Sequence, residues 1–204
     1  MKHYSLLYLF LQKFKMKRIA IFASGTGSNA KKITDYFKEQ AKNISISLIV
    51  SNNPKAGALK VAEENGIKSI LVTREMFNQP EHLLEILAKE QIDFIVLAGF
   101  LWLIPKKVIS RFKGKIVNIH PALLPKYGGK GMYGITVHEA VKAAGEKETG
   151  ITIHFVDENF DEGEIIFQKK CIIKEQDTPE NISLKVRKLE HKYYPLIIKS
   201  LLEE

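Results

Sequence analysis

Runs of apolar residues alternate with amphipathic stretches along most of the chain. Near-continuous apolar runs predict five buried strands, at 18–24, 44–51, 69–73, 93–100 and 115–121. The stretches between them place apolar residues at helical spacing and predict amphipathic helices, at 29–42, 56–66 and 80–91. Buried strands separated by helices are typical of a parallel sheet that is covered on both faces. The pattern therefore predicts an α/β fold with an open, mostly parallel sheet and helices on both faces.

The C-terminal part of the pattern differs from the rest. Two further apolar runs, at 150–156 and 163–174, are joined by a short acidic loop and not by a helix, which predicts an antiparallel edge of the sheet. A closing helix is predicted over 178–204, because Thr178 can act as its N-cap and Pro179 suits the first turn.

The domain organisation follows from the same pattern. No repeat, linker or low-complexity tract interrupts residues 16–204, which are expected to form one domain. Residues 1–15 are expected to be a leader outside the fold, since a second methionine, Met16, stands just before the first strand. The apolar part of this segment is shorter than the ~20 residues that span a bilayer, and no signal-peptide cleavage site follows it.

The amino-acid composition and net charge limit the kinds of partner that the protein is expected to bind. The formal charge of +8 comes from 31 basic and 23 acidic residues. It suits a phosphate-bearing partner, although lysines that solvate helix faces would give the same balance. No run of five or more basic residues occurs, which argues against nucleic acid. The single cysteine, Cys171, fits a reducing compartment. We therefore expect a cytoplasmic protein with small-molecule partners and no membrane association, as a monomer or homodimer.

The first loop carries an anion-binding pattern. Ligands of open α/β sheets bind beyond the carboxyl ends of the strands. Residues 24–30, SGTGSNA, follow the first strand there and lead into a helix, whose N-terminal amides favour an anion. Dinucleotide sites also need an acidic residue at the end of the second strand, where this chain has Ser51, Asn52 and Asn53. The loop therefore predicts a phosphate monoester site, and a glycine-rich turn without ligand is the alternative.

Two polar residues end the fifth strand. Asn118 and His120 are two apart and face the same side of the strand, where they could stabilise an oxyanion and transfer protons. A strand-end histidine bonded only to backbone is the alternative. A carboxylate of the downstream acidic loop could orient His120 and raise its pKa; the candidates are Asp157, Glu158, Asp161, Glu162 and Glu164. No residue set has metal-ligand spacing, and no nucleophile elbow occurs.

Several motifs occur together in one order along the chain. They are ASGTGSN at 23–29, VLAGF at 96–100, NIHPALLPKY at 118–127, GITIHFVDENFDEG at 150–163 and LEHKYYP at 189–195. In this the chain resembles the phosphoribosylglycinamide formyltransferases, folate-dependent enzymes of purine synthesis. The resemblance covers the chain from residue 16 onward and implies a Rossmann-like formyltransferase fold. It implies formyl transfer from 10-formyltetrahydrofolate to the amine of glycinamide ribonucleotide, with no metal.

The resemblance also assigns roles to residues. Asn118 and His120 would stabilise the oxyanion, and Asp161 would hold His120 in its charged form and relay protons. The residues that would bind the phosphate and the ribose of the ribonucleotide are Gly25, Thr26, Gly27, Ser28, Asn29 and Glu190. The folate would contact Asn118 and two segments, namely Leu101, Trp102, Leu103 and Ile104, and the loop residues Val156, Asp157 and Glu158.

The chain departs from the family pattern in three places. Members of the family commonly carry an arginine at the position of Trp102 and another at that of Pro80, and the loop at 128–134 is longer here than in some of them. Three other functions share part of the pattern. They are a formyltransferase acting on methionyl-tRNA or an amino sugar, a formyltetrahydrofolate hydrolase, and a non-catalytic module that binds a nucleotide phosphate.

Overall fold

The computed structural model describes residues 16–41 and 43–203. The strands are β1 Lys17–Phe22, β2 Ile44–Ser51, β3 Lys68–Leu71, β4 Phe94–Leu97, β5 Ile116–His120, β6 Glu148–Phe155 and β7 Ile165–Ile172. The helices are α1 Ser28–Gln40, α2 Gly57–Glu64, α3 Arg74–Asn78, α4 Glu81–Lys89, α5 Lys106–Arg111, α6 Ile135–Ala143 and α7 Pro179–Glu203. The predicted leader, residues 1–15, lies outside the described residues.

All seven strands form one sheet in the order β3-β2-β1-β4-β5-β6-β7. Strands β1 to β5 pair in parallel, whereas β6 and β7 are antiparallel to their neighbours. The predicted fold class and its antiparallel C-terminal edge are thus confirmed. The chain reverses its direction of travel across the sheet between β1 and β4, which is where ligands bind in folds of this kind.

Helices cover both faces of the sheet, and each face has its own apolar core. On one face α1, α2, α6 and α7 bury side chains such as Ile33, Val61 and Val186. On the other face α3, α4 and α5 bury Phe77 and Leu87 with their neighbours. These two layers leave the carboxyl edge of the parallel strands as the place where both faces can reach a ligand. No helix in the described ranges has the length and apolar character needed to cross a membrane.

The closing helix α7 fixes the strand ends at that edge. It begins as predicted, with the Thr178 hydroxyl accepting a hydrogen bond from the Asn181 N–H at 3.3 Å. Farther along, the fully buried Tyr194 donates its hydroxyl hydrogen between two backbone carbonyls, those of Leu97 at 2.9 Å and Val117 at 3.2 Å. Leu97 is the last residue of β4 and Val117 lies within β5, so α7 holds these two neighbouring strands together.

Candidate active site

A cavity of about 880 Å³ opens at the carboxyl edge of the sheet. Its wall joins the loop after β1, the segment after β4, the end of β5 and the loop after β6. The N-terminal half of α7 and the loop that precedes α6 complete it. Because β1 and β4 lead to helices on opposite faces, the cavity crosses the edge of the sheet from one face to the other.

The loop after β1 forms an open cradle at one end of this cavity. Gly27 is the N-cap of α1, has a φ of 77° and offers no side chain, so the first amides of the helix are uncapped. A Cβ on Gly27 would lie 2.4 Å from the amide nitrogen of Ala58, which shows how closely this loop packs on α2. Uncapped helix amides beside a glycine turn form an anion site. The predicted residues Gly25, Thr26, Ser28 and Asn29 all line it.

Helix α7 places two charged residues beside the cradle. The Asn29 side-chain amide donates to the Glu190 carboxylate at 2.9 Å. Desolvation raises the pKa of the Glu190 carboxyl, against the hydrogen bond from Asn29 and the positive charge of Arg187. Arg187 lies one helical turn before Glu190, lines the cavity and adds a cation at this end. The end of the cavity thus combines an anion site with a carboxylate suited to hydroxyl groups.

Asn118, His120, His154 and Asp161 meet in the middle of the cavity wall. His120 Nδ1 lies 3.4 Å from Asp161 Oδ2, and His154 Nε2 lies 3.6 Å from Asp161 Oδ1. The Asn118 amide nitrogen is 3.1 Å from His154 Nε2 and 3.3 Å from Asp161 Oδ1. Register explains the pairing, because antiparallel β6 places His154 directly opposite Asn118 on β5. Among the five acidic candidates, the structure therefore brings Asp161 to His120.

Backbone carbonyls define where the protons of both histidines lie. His120 Nε2 is 2.7 Å from the Tyr127 carbonyl and His154 Nδ1 is 2.8 Å from the Phe155 carbonyl. A carbonyl oxygen can only accept, so each of these nitrogens carries a proton. Any second proton on His120 is therefore on Nδ1, between the ring and Asp161. His154 Nε2 then accepts from the Asn118 amide.

The pKa of His120 is opposite to the sequence-based expectation. Burial lowers it, because the side chain is only 3% exposed, and burial outweighs the opposing charge of Asp161 and the Tyr127 hydrogen bond. Burial also acts on Asp161, where it would raise the pKa. The nearby His154 ring, the charge of His120 and the Gly129 N–H together lower it instead. The expected raised pKa of His120 is thus wrong: Asp161 limits the fall without reversing it.

The loop after β6 holds Asp161 in a strained conformation. Its φ is 60°, in the left-handed region that residues other than glycine seldom adopt. The Gly129 N–H donates to its Oδ2 at 3.0 Å. Two residues on, a Cβ at Gly163 would lie 1.9 Å from the Phe155 carbonyl oxygen, so only glycine lets the loop return to the sheet at this point. Such strain, supported by neighbouring contacts, is typical of functional positions.

The segment after β4 lines the other end of the cavity. Leu101, Trp102, Leu103 and Ile104 all face it, and the Leu101 N–H donates to the Ser24 hydroxyl at 3.0 Å, which joins this segment to the cradle. Val156 also lines the cavity. The structure does not bring Asp157 and Glu158 into the wall. Asp157 accepts from the Asn159 N–H at 2.9 Å, and Glu158 pairs with Lys106 on α5.

The arginines and histidines of the cavity wall that were not predicted as site residues from the sequence are Arg74, His138, His154 and Arg187. His138 is buried on α6, its Nδ1 has no partner among the described residues, and burial beside His120 lowers its pKa to about 4. Helical spacing from Glu190 could have indicated Arg187. Arg74 and His138 come from elements distant in sequence, and no local pattern marks them. No group of three or more metal-ligating side chains with suitable geometry occurs in the described ranges.

Comparison with known proteins decides the family. A model of the formyl transferase family matches residues 17–198. The chain is 39% identical over 191 residues to phosphoribosylglycinamide formyltransferase of Bacillus subtilis, covering 92% of this chain and 95% of that protein. The chain belongs to the phosphoribosylglycinamide formyltransferases. It is therefore an enzyme of the formyl transferase class, and its activity belongs to purine biosynthesis.

Other formyltransferases agree with this placement. The chain is 40% identical to the chloroplastic phosphoribosylglycinamide formyltransferase of Arabidopsis thaliana, covering 93% of this chain and 67% of that longer protein. The crystal structure of phosphoribosylglycinamide formyltransferase from Bacillus halodurans aligns with a TM-score of 0.83 at 35% identity. That alignment covers 91% of this chain and 95% of the other.

Proposed function

We propose that this formyltransferase transfers the formyl group of 10-formyltetrahydrofolate directly to the amine of glycinamide ribonucleotide. Asn118, His120 and Asp161 are the catalytic residues of the proposal. The observation that carries it is the position of these three side chains. They line the same cavity as an anion cradle that belongs to one face of the sheet and an apolar, aromatic segment that belongs to the other.

The ribonucleotide belongs at the cradle end in this proposal. Its phosphate is held by the uncapped amides at the start of α1, with Arg187 as the nearby cation. Ser28 and Asn29 add side-chain donors. Glu190, which is bonded to Asn29, accepts from the ribose hydroxyls. This arrangement extends the amine of the ribonucleotide toward Asn118 and His120.

The folate belongs at the other end. The backbone groups of residues 101–104 suit the polar edge of the pterin, and the apolar side chains there suit its flat faces. Val156 contributes to the same surface. The formyl group then lies beside Asn118, between the two substrates.

The reaction needs one bond to form, one to break and one proton to move. The amine nitrogen attacks the formyl carbon, and negative charge develops on the formyl oxygen. The Asn118 amide donates a hydrogen bond to that oxygen, and His120 donates a second one from Nδ1 when the ring is protonated. Asp161 takes the proton that the amine loses, directly or through water. As the bond from the formyl carbon to folate N10 breaks, Asp161 passes that proton on to N10 through water, which returns the carboxylate to its charged state.

The electrostatics support this division of roles. Asp161 and His154 hold the Asn118 amide in place before the substrate arrives, and the developing oxyanion takes over one of these two hydrogen bonds. The pKa of Asp161 is lowered, so the carboxylate is charged and ready to accept. Since the pKa of His120 is lowered, its second proton is held weakly and is easily given up.

The test mixes purified protein with 10-formyltetrahydrofolate, with and without glycinamide ribonucleotide, and follows the folate absorbance. We expect a change that requires the ribonucleotide and that His120→Ala reduces at least a hundredfold. A change without ribonucleotide would indicate a hydrolase. No change, together with salt-sensitive binding of tRNA, would indicate the tRNA-directed branch. We further propose small-molecule partners alone and a cytoplasmic location.

A further inference from the structure

Arg74 and Trp102 form a paired surface at the folate end of the cavity. The guanidinium carbon of Arg74 lies 3.9 Å from the centroid of the Trp102 ring, and both residues line the cavity. Trp102 is fixed from behind by Phe77, whose ring centroid is 5.1 Å away at an interplanar angle of 79°. Phe100 completes the support at 6.3 Å. The indole is therefore a rigid platform, with one face covered by a cation.

The charge of Arg74 has no counterpart in the part of the chain that the structure describes. Among the described residues, no carboxylate lies within 4.0 Å of its guanidinium, whereas Lys106 and Lys107 on the adjacent α5 are both paired with glutamates. Arg74 also stands in the first turn of α3, where the helix offers a positive charge no stabilisation. Stacking on Trp102 uses the flat face of the guanidinium and leaves its N–H edge free to donate.

We propose that Arg74, stacked on Trp102, binds the glutamate carboxylates of the folate co-substrate. The inference rests on the proposed function. The folate has an apolar aminobenzoyl ring next to an anionic glutamate, and the pair offers an aromatic surface next to a cation that prefers carboxylate geometry. Arg74 follows β3 on the face of α3, α4 and α5, opposite the face of the phosphate cradle. Its anion is therefore the folate tail and not the ribonucleotide phosphate.

Binding can be followed without catalysis, because Trp102 is the single tryptophan of the chain. Folic acid and pteroic acid are the two probes: folic acid carries two glutamate carboxylates beyond an amide, whereas the single carboxylate of pteroic acid lies directly on the ring. Quenching of Trp102 fluorescence gives the dissociation constant of each. For the wild-type protein we expect folic acid to bind about tenfold more tightly than pteroic acid. In Arg74→Gln this preference disappears because folic acid loses more affinity than pteroic acid, and Arg74→Lys lies between the two.

Arg111→Gln is the matched control. Arg111 is an exposed arginine on α5 that does not line the cavity, so this variant keeps the full preference for folic acid. In steady-state assays Arg74→Gln raises KM for 10-formyltetrahydrofolate and leaves both kcat and KM for the ribonucleotide unchanged.

Three results would overturn the inference. A preference for folic acid that survives in Arg74→Gln would place the tail carboxylates elsewhere. A rise in KM for the ribonucleotide in that variant would assign Arg74 to the phosphate. Wild-type protein that binds neither probe would contradict the proposed function itself, whereas the first two results would leave it intact.

Discussion

At the scale of single residues, the site depends on how burial and charge compete at His120. The sequence places an acidic loop after β6, and from this one expects a raised pKa. The structure adds the burial that the sequence does not give, and burial outweighs the carboxylate. The ring is thus a donor that releases its proton readily, while the Tyr127 carbonyl keeps the other nitrogen protonated.

Asp161→Asn tests this competition. Loss of the carboxylate lowers the pKa of His120 further. In a titration towards higher pH, the ring therefore loses its charge earlier than in the wild type. We expect kcat to fall roughly a hundredfold or more, and the residual activity to decline at a lower pH than in the wild type. The measurement is kcat/KM against pH. Asp157→Asn removes the same charge from the same loop but outside the cavity wall, and should leave the profile unchanged. An unmoved profile in Asp161→Asn would refute the coupling.

His138 makes a second prediction at this scale. Its pKa in the folded protein is about 4, below the ordinary value of 6.5. Between these two pH values the unfolded chain binds a proton that the folded protein does not, so acid favours unfolding. The difference corresponds to about 3 kcal/mol of unfolding free energy, lost as the pH falls from 6.5 to 4. Urea unfolding across this range should show a smaller loss for His138→Gln, and an equal loss would contradict the assignment.

At the scale of elements, the cradle depends on close packing between a loop and a helix. Gly27 caps α1 with a positive φ and lies against the first turn of α2, with no room for a Cβ. The same packing leaves the helix amides open to an anion. The cradle therefore needs glycine for two separate reasons, the backbone conformation and the approach of α2.

Gly27→Ala should lower the free energy of unfolding by about 2 to 4 kcal/mol, from left-handed strain plus overlap with Ala58. It should also raise KM for the ribonucleotide, because the cradle must shift. Gly66→Ala is the control, since Gly66 has a φ of 64° but nothing within 4 Å of an added Cβ. That variant should lose only about 1 to 2 kcal/mol. Equal losses, measured by urea unfolding, would mean that packing on α2 contributes nothing.

Much of the fold could be predicted from the pattern of apolar and polar residues along the sequence. Continuous apolar runs identified β1, β2, β4 and β5 as buried strands, and Thr178 with Pro179 located the start of α7. The prediction of a buried strand at 69–73 was wrong in its burial, because β3 lies at the edge of the sheet and is largely exposed. The contact between Asn118 and His154 could not be predicted, because it depends on the register of antiparallel β6 on β5. Arg74 reaches the cavity only because β3 and β4 direct their loops to one edge, and such long-range proximity leaves no local signal. The catalytic and binding roles carried over from the family stay predictions.

At the scale of the whole molecule, the sheet separates the two ends of the cavity. The cradle belongs to the face of α1 and α7, and the Trp102 segment to the face of α3, α4 and α5. Only the carboxyl edge of the strands is shared, and Asn118, His120 and Asp161 lie there. The fold thus places two binding surfaces apart and joins them at one reacting point.

Asn29→Ala tests the separation. Removing this amide takes a donor from the cradle and frees the Glu190 carboxylate to which it is bonded, so KM for the ribonucleotide should rise about tenfold. Folic acid binding, followed by Trp102 fluorescence, should stay unchanged because the two ends do not share this contact. A parallel loss of folate binding would show that the cavity acts as a single undivided site.

The most direct test of the account follows an isotopically labelled formyl group through a single turnover. Enzyme, labelled 10-formyltetrahydrofolate and glycinamide ribonucleotide are mixed and quenched at intervals, and protein, folate and ribonucleotide are separated. Direct attack of the amine on the formyl carbon, beside Asn118 and His120, predicts that labelled folate decreases at the rate at which labelled ribonucleotide increases. No label should be found on the protein. Label that accumulates on the protein, or is released as formate, would contradict the account.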